Sequence, residues 1–95
     1  MKSITIQYPR TGDATFDYDY YMASHVPLFM SFMGSVEQAT VCKGDDDASF
    51  LCLTQVIVKD LAAFGATMQE HGEEILADIP NFTTVAPQIS TGDVL

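Results

Sequence analysis

Polar and apolar residues alternate along several short segments of the chain, and this period of two predicts four β-strands. Residues 3–8 alternate strictly, with Ile4, Ile6 and Tyr8 on one face. Residues 36–43 predict a second strand, and residues 82–91 a fourth, in which Pro87 favours a sheet edge or a bulge. Residues 50–58 are apolar on both faces, which predicts a central strand that needs cover on both sides.

Two other segments repeat apolar residues every three or four positions, the spacing of an amphipathic helix. The first helix is expected to begin after the N-cap Asp17 and to end at Gly34. Pro27 lies in its middle and lacks a backbone N–H, so the helix should kink or loosen around residues 24–26. The second helix is expected to begin after Asp60, to break near Gly72 and to end near residue 78. Its buried face is predicted from the spacing of Leu61, Phe64, Met68, Gly72 and Ile75.

The order β-α-β-β-α-β predicts an α+β, ferredoxin-like fold for one domain that spans residues 1–95. Right-handed crossovers place both helices on one face of a four-stranded antiparallel sheet, with the first and third strands in the centre. The other face would carry part of the apolar third strand. We therefore expect a second copy to cover it, giving a homodimer that pairs through the sheet as a dimeric α+β barrel.

Charge and composition exclude several classes of partner. The net charge is −9, from thirteen acidic against four basic residues, which argues against nucleic acids and anionic membrane surfaces. No apolar run is long enough to cross a membrane, and the start MKSITIQYP does not resemble a targeting peptide, so a cytoplasmic location is expected. Cys42 and Cys52 form no CxxC pair. Free thiols are expected, with a disulfide across the hairpin as the alternative.

Two histidines and one glutamate are the candidates for catalysis. His25 precedes the Pro27 distortion and could act as a general base, or could be a core-edge residue bonded to the backbone. His71 and Glu74 are three residues apart and could form an acid–base pair, or His71 could lie at the end of a helix broken at Gly72. No HxxxH or HxH spacing is present, so no metal site is predicted.

Aromatic residues on both helices could line a pocket for a small hydrophobic ligand. The predicted substrate-binding residues are Tyr21, Phe29, Phe64 and Phe82. Aromatic residues at helical spacing also build ordinary cores, and that alternative stays open.

The chain resembles the EthD family, which is named for an ethyl tert-butyl ether degradation cluster. The resemblance rests on FDYDYYMASHVPL at residues 16–28, FGATMQEHGEEILADIPNFT at residues 64–83, and the early strand ITIQYP. It implies the dimeric α+β barrel and a cavity between each sheet and its own helices. Members accompany ether-degrading oxygenase systems, and relatives by fold include cofactor-free monooxygenases, lactone isomerases, polyketide cyclases and haem-degrading enzymes.

Two functional hypotheses follow. The first is a cofactor-independent catalyst, of oxidoreductase or isomerase type, that acts on a compact apolar or aromatic molecule. In this hypothesis His25 and His71 transfer protons, Glu74 orients the imidazole of His71, and Tyr21 positions the ligand. The second is a binding or accessory protein that sequesters or hands over such a molecule, or supports an oxygenase, with no chemistry of its own.

Overall fold

Four antiparallel strands form one sheet in the computed structural model, which describes residues 1–34 and 36–95. The strands are β1 (Lys2–Pro9), β2 (Gln38–Lys43), β3 (Phe50–Val58) and β4 (Gln88–Asp93). Their order is β2-β3-β1-β4, so β1 and β3 are central, and the α+β, ferredoxin-like prediction is confirmed. The predicted start of β4 is wrong. Thr83 instead forms an isolated bridge with Phe16, outside the sheet, and Pro87 immediately precedes the edge strand β4.

The first helical run (residues 18–32) consists of α1 (Tyr18–Tyr20), a π-helix (Tyr21–His25) and α2 (Val26–Phe32). The long helix α3 (Leu61–Asp78) is followed by a 3-10 turn (Ile79–Asn81). The predicted caps are confirmed: Asp17 accepts from the amide of Tyr20, and Asp60 from those of Ala62 and Ala63. Within the described residues, no helix is both long and apolar enough to cross a membrane.

The predicted loosening before Pro27 takes the form of the π-helix. The amide of Val26 donates to the carbonyl of Tyr21, five residues back rather than four. Because Pro27 has no N–H, the α-helical bond pattern is interrupted at this point in any case, and a wider turn costs less here than elsewhere. The widened turn carries two buried side chains, Tyr21 and His25.

The predicted break at Gly72 is wrong, because α3 runs without interruption to Asp78. Gly72 is buried with Phe64 and Ile75 on the face of α3 that packs against the hydrophobic core. Burial of this face offsets the cost of about 1 kcal/mol that a glycine adds inside a helix. His71 therefore lies within the helix, and the helix-end explanation of His71 is wrong as well.

The two faces of the sheet differ in composition. The helix-covered face carries the core residues Ile4, Tyr8, Val56 and Val58.

The other face of the sheet is free of the described helices. On it, half-buried Leu53 pairs across the ladders with Gln7 and Cys42, and half-buried Ile57 pairs with Ser3 and Gln38. The free face therefore carries part of the apolar third strand, as expected, with serine, threonine and glutamine on the neighbouring strands. A second copy on this face stays a prediction.

The two cysteines lie on opposite faces of the sheet. In the ladder Cys42 pairs with Leu53, and Cys52 pairs with Lys43 and Tyr8. Cys42 is exposed, Cys52 is buried, and both are free. The alternative of a disulfide across the hairpin is therefore wrong.

Candidate functional site

A cavity lies between the sheet and the helices, as expected. Its volume is about 40 Å³, which holds a few water molecules at most. A larger ligand therefore has to displace wall residues, and the unbranched side chains of Met30 and Met68 are suited to such movement. Among the described residues, the polar side chains in its wall are Tyr8, Tyr21, His25 and Thr54.

Three of the four predicted substrate-binding residues line this cavity. Tyr21, Phe29 and Phe64 form part of its wall. Phe82 lies behind the wall, with its ring centroid 4.6 Å from that of His25 and 5.1 Å from that of Tyr21. Phe82 thus supports two wall residues rather than the cavity itself. The binding roles of these residues stay predictions.

His25 occupies the end of the π-helix and is only 4% exposed. Its Nδ1 lies 2.9 Å from Oδ2 of Asp78, and its ring stacks on Tyr21 with centroids 5.4 Å apart. A carboxylate only accepts hydrogen bonds, so in the neutral imidazole the proton lies on Nδ1. The lone pair of Nε2 is then free to accept a proton from a ligand in the cavity.

Asp78 ends α3 and is held by three donors. Oδ1 accepts from the Tyr20 hydroxyl at 2.6 Å and from Nδ2 of Asn81 at 2.9 Å, while Oδ2 faces His25. Burial acts to raise the pKa of Asp78, but the hydrogen bonds from Tyr20, Asn81 and His25 outweigh it and hold that pKa below its ordinary value. Asp78 is therefore ionised at neutral pH.

Sequence reasoning did not select Asp78, although the chain carries one usable signal. A negative charge in the last turn of a helix is opposed by the helix dipole. An acid in that position, directly before Ile79, Pro80 and Asn81, therefore calls for compensating donors from elsewhere in the fold.

Tyr8, Tyr21 and Thr54 supply the other polar groups of the wall. The Tyr21 hydroxyl lies 2.5 Å from Oγ1 of Thr54. Burial raises the pKa of Tyr21 to about 12, and burial together with the neighbouring Tyr21 raises the pKa of Tyr8 well above its usual value. Both hydroxyls stay protonated at neutral pH and can donate hydrogen bonds.

His71 lies elsewhere, on the surface between α3 and α2. Its ring stacks on Phe32 with centroids 4.0 Å apart and planes within 1°. Nδ1 is 3.4 Å from Oε1 of Glu74, so the predicted pair does meet, and Nε2 is 4.0 Å from Oε1 of Glu70. Within the described residues the wall of the cavity includes His25 but neither His71 nor Glu74. The structure therefore brings His25 to Asp78 and leaves His71 apart.

Metal ligation has no support from the described part of the chain. No three histidine, cysteine, aspartate or glutamate side chains there are grouped to hold an ion. Burial raises the pKa of Cys52 to about 11, which leaves its thiol protonated.

Fold and site together define a ferredoxin-like α+β domain with a buried histidine–aspartate pair at the wall of an apolar cavity. The chain is similar to an EthD-like protein from Ralstonia eutropha JMP134, with 32% sequence identity over 99% of this chain and 91% of that one, and a TM-score of 0.88. It belongs to the EthD-like family.

More distant structures share the fold alone. An EthD family protein from Bacillus halodurans C-125 is 13% identical over 100% of this chain and 99% of that one, with a TM-score of 0.65. HapK from Hahella chejuensis is 19% identical over 100% and 93% of the two chains, with a TM-score of 0.64. The sequence matches no protein-family model and no curated protein.

Proposed function

We propose that this protein binds a small apolar or aromatic molecule between helices and sheet and moves a proton on it without a cofactor, with His25 as the general base. The observation that carries the proposal is the 2.9 Å contact between Nδ1 of His25 and Oδ2 of Asp78 at the wall of the cavity. The wall is otherwise mostly apolar, which suits such a ligand.

The pair has the parts that general-base catalysis needs. Asp78 fixes the ring and its tautomer, and its charge stabilises the imidazolium that forms when Nε2 takes a proton. Tyr20 and Asn81 hold the carboxylate in turn, so the base is positioned before a ligand arrives. A positioned general base contributes about 100- to 10,000-fold to a rate.

His71 and Glu74 stay predicted participants, on weaker support. They meet each other on one helix, but the cavity wall does not include them. Their position outside the wall favours a surface role, and a matched pair of histidine variants distinguishes this role from catalysis.

The test begins with a thermal-shift screen of small aryl ketones, since a ligand that binds the folded state raises its melting temperature. Bound ketones are then followed by NMR for exchange of their acidic C–H protons with deuterium from solvent. We expect His25→Asn to slow enzyme-dependent exchange by about 100-fold or more, and His71→Asn by less than about 3-fold.

Other results would decide against catalysis. Exchange that survives in His25→Asn removes the proposed base. A ligand that binds the wild-type protein with no exchange at all supports the second hypothesis, a non-catalytic binding or accessory protein. If exchange is lost in His71→Asn and unchanged in His25→Asn, the general base is His71 on α3 rather than His25.

We further infer a homodimer through the free sheet face. The family resemblance supports it, as do the large apolar side chains of Leu53 and Ile57 on that face. The surrounding polar residues would contribute hydrogen bonds rather than apolar burial. Sedimentation equilibrium at micromolar concentration tests this, and a monomer would refute it. The cytoplasmic location and a link to ether degradation stay predictions.

A further inference from the structure

The basic residues of the chain all lie away from the cavity and have other contacts. Two lysines form ion pairs: Nζ of Lys2 is 2.6 Å from Asp93, and Nζ of Lys59 is 3.4 Å from Glu37. Nζ of Lys43 lies 4.7 Å from the centroid of the Tyr18 ring. Arg10 donates hydrogen bonds to backbone carbonyls of the loop before β3. The cavity wall, as far as the structure describes it, contains neither lysine nor arginine. An anionic ligand would therefore find no permanent counter-charge there.

Negative charge, by contrast, lies directly behind the wall. Asp78 is ionised, and its side chain is only 14% exposed, so solvent screens it poorly. When His25 is neutral, this charge repels an anion at Nε2. When His25 is protonated, the pair with Asp78 has no net charge and attracts an anion far less than a free cation would.

The remaining polar groups of the wall suit an uncharged oxygen. Tyr8 and Tyr21 line the same cavity as His25, and their ring centroids are 5.8 Å apart. Thr54 contacts the Tyr21 hydroxyl and so orients it. A phenolic hydroxyl donates well to a carbonyl or phenolic oxygen.

We propose that the ligand is an uncharged ketone, aldehyde or phenol whose oxygen docks against the hydroxyls of Tyr8 and Tyr21, and that carboxylates and phosphates bind more weakly. The inference rests on the proposed function. With a ketone, a C–H bond next to the carbonyl breaks and its proton passes to Nε2 of His25. The electron pair forms the C=C bond of an enolate, whose oxygen accepts hydrogen bonds from the tyrosines. The positive charge of the His25 imidazolium and the negative charge of the enolate form together inside the site, so no charged group has to enter it from water.

The charge selection is tested with acetophenone and benzoate, which carry the same ring. Binding is measured by ligand-observed NMR titration at neutral pH. We expect acetophenone to bind the wild-type protein at least about ten-fold more tightly than benzoate. Asp78→Asn should narrow that ratio, since it removes the buried charge. Asp19→Asn, which removes an exposed charge, should leave the ratio unchanged.

The docking role is tested with Tyr21→Phe against the matched control Tyr18→Phe, whose hydroxyl donates to the carbonyl of Leu51. Deuterium exchange at the methyl group of acetophenone should fall about ten-fold or more in Tyr21→Phe, with less than about a three-fold change in Kd, because the bond strengthens as the enolate forms. Tyr8→Phe provides a second variant with the same expectation.

Three outcomes would overturn the inference. Benzoate that binds as tightly as acetophenone removes the charge selection, even if exchange still depends on His25. Equal exchange in the Tyr21, Tyr8 and Tyr18 variants removes the docking role. If neither compound binds, the proposed function fails at its binding step and this inference fails with it.

Discussion

The two histidines of this chain are both candidates for proton transfer from the sequence, but their structural surroundings differ. Each lies on a helix and each contacts a carboxylate. The side chains of His25 and Asp78 are 6% and 14% exposed, whereas those of His71 and Glu74 are 29% and 61% exposed. A buried pair acts in a low dielectric and orients its imidazole, whereas an exposed pair is screened by water and contributes little.

The pair that is easier to see in the sequence is the weaker one. His71 and Glu74 are three residues apart, so helical geometry alone predicts their contact. His25 and Asp78 are 53 residues apart and meet only because the first helical run and the end of α3 pack over the same sheet. Tertiary contact, rather than sequence spacing, distinguishes a site from a surface feature here.

The largest difference between the two regions is expected in the aromatic residues that support the histidines. Phe82 is 3% exposed and its ring meets those of Tyr8, Phe16, Tyr20, Tyr21 and His25. Phe82→Ala should lower the free energy of unfolding by about 3–5 kcal/mol, because it leaves a cavity in this cluster. Phe32→Ala removes the half-buried ring under His71 and should cost about 1–2 kcal/mol. Urea denaturation measures both, and equal losses would contradict the comparison.

Asp78→Asn should have the next largest effect. The folded-state pKa of Asp78 lies below its ordinary value, so its charged form stabilises the native state above an unfolded pKa near 3.8. That stability is lost as the pH falls through the lower folded pKa. The variant should lose about 1–3 kcal/mol at neutral pH.

The pH profile distinguishes this linkage from simple damage to packing. As the pH falls below about 5 and through the folded pKa of Asp78, the wild-type protein should lose stability more steeply than Asp78→Asn, so the two curves converge in acid. Chemical denaturation at several pH values gives both curves. Parallel curves would show that Asp78 is not held in its ionised form by its donors.

Tyr20→Phe should have a smaller effect of the same kind. It removes the 2.6 Å hydrogen bond to Oδ1 of Asp78 and keeps the ring, so the loss should be about 1 kcal/mol, with the acid transition moved toward higher pH. Tyr18→Phe, outside the Asp78 network, is the matched control and should leave the acid transition in place. Identical acid transitions in both variants would show that Tyr20 does not hold the carboxylate.

Much of the fold follows from local patterns. β3 was predicted at residues 50–58, as observed, because a mostly apolar run between turn signals defines both of its ends. Asp17 and Asp60 identified both helix starts, and Pro27 located the loosened turn that carries Tyr21 and His25. These features depend on a few neighbouring residues, so spacing alone predicts them.

The errors arose where distant contacts outweigh local preference. Burial keeps α3 intact across Gly72, although glycine disfavours a helix interior. The segment before β4 has strand-like residues, but Phe82 turns into the core rather than joining the sheet. Asp78 was missed because its partners Tyr20 and His25 lie more than 50 residues away in the chain.

The smallest expected effect belongs to the exposed pair, and it is the most direct test of the comparison. Glu74→Gln removes the charge that lies 3.4 Å from His71, but the glutamate is 61% exposed and water replaces much of the interaction. We expect a change of at most about 0.5 kcal/mol in unfolding free energy, and a smaller one in high salt. The stack on Phe32 should hold His71 in place without the carboxylate. Urea denaturation at low and high ionic strength measures the change. A salt-independent loss as large as that of Asp78→Asn would show that the two pairs are alike in strength.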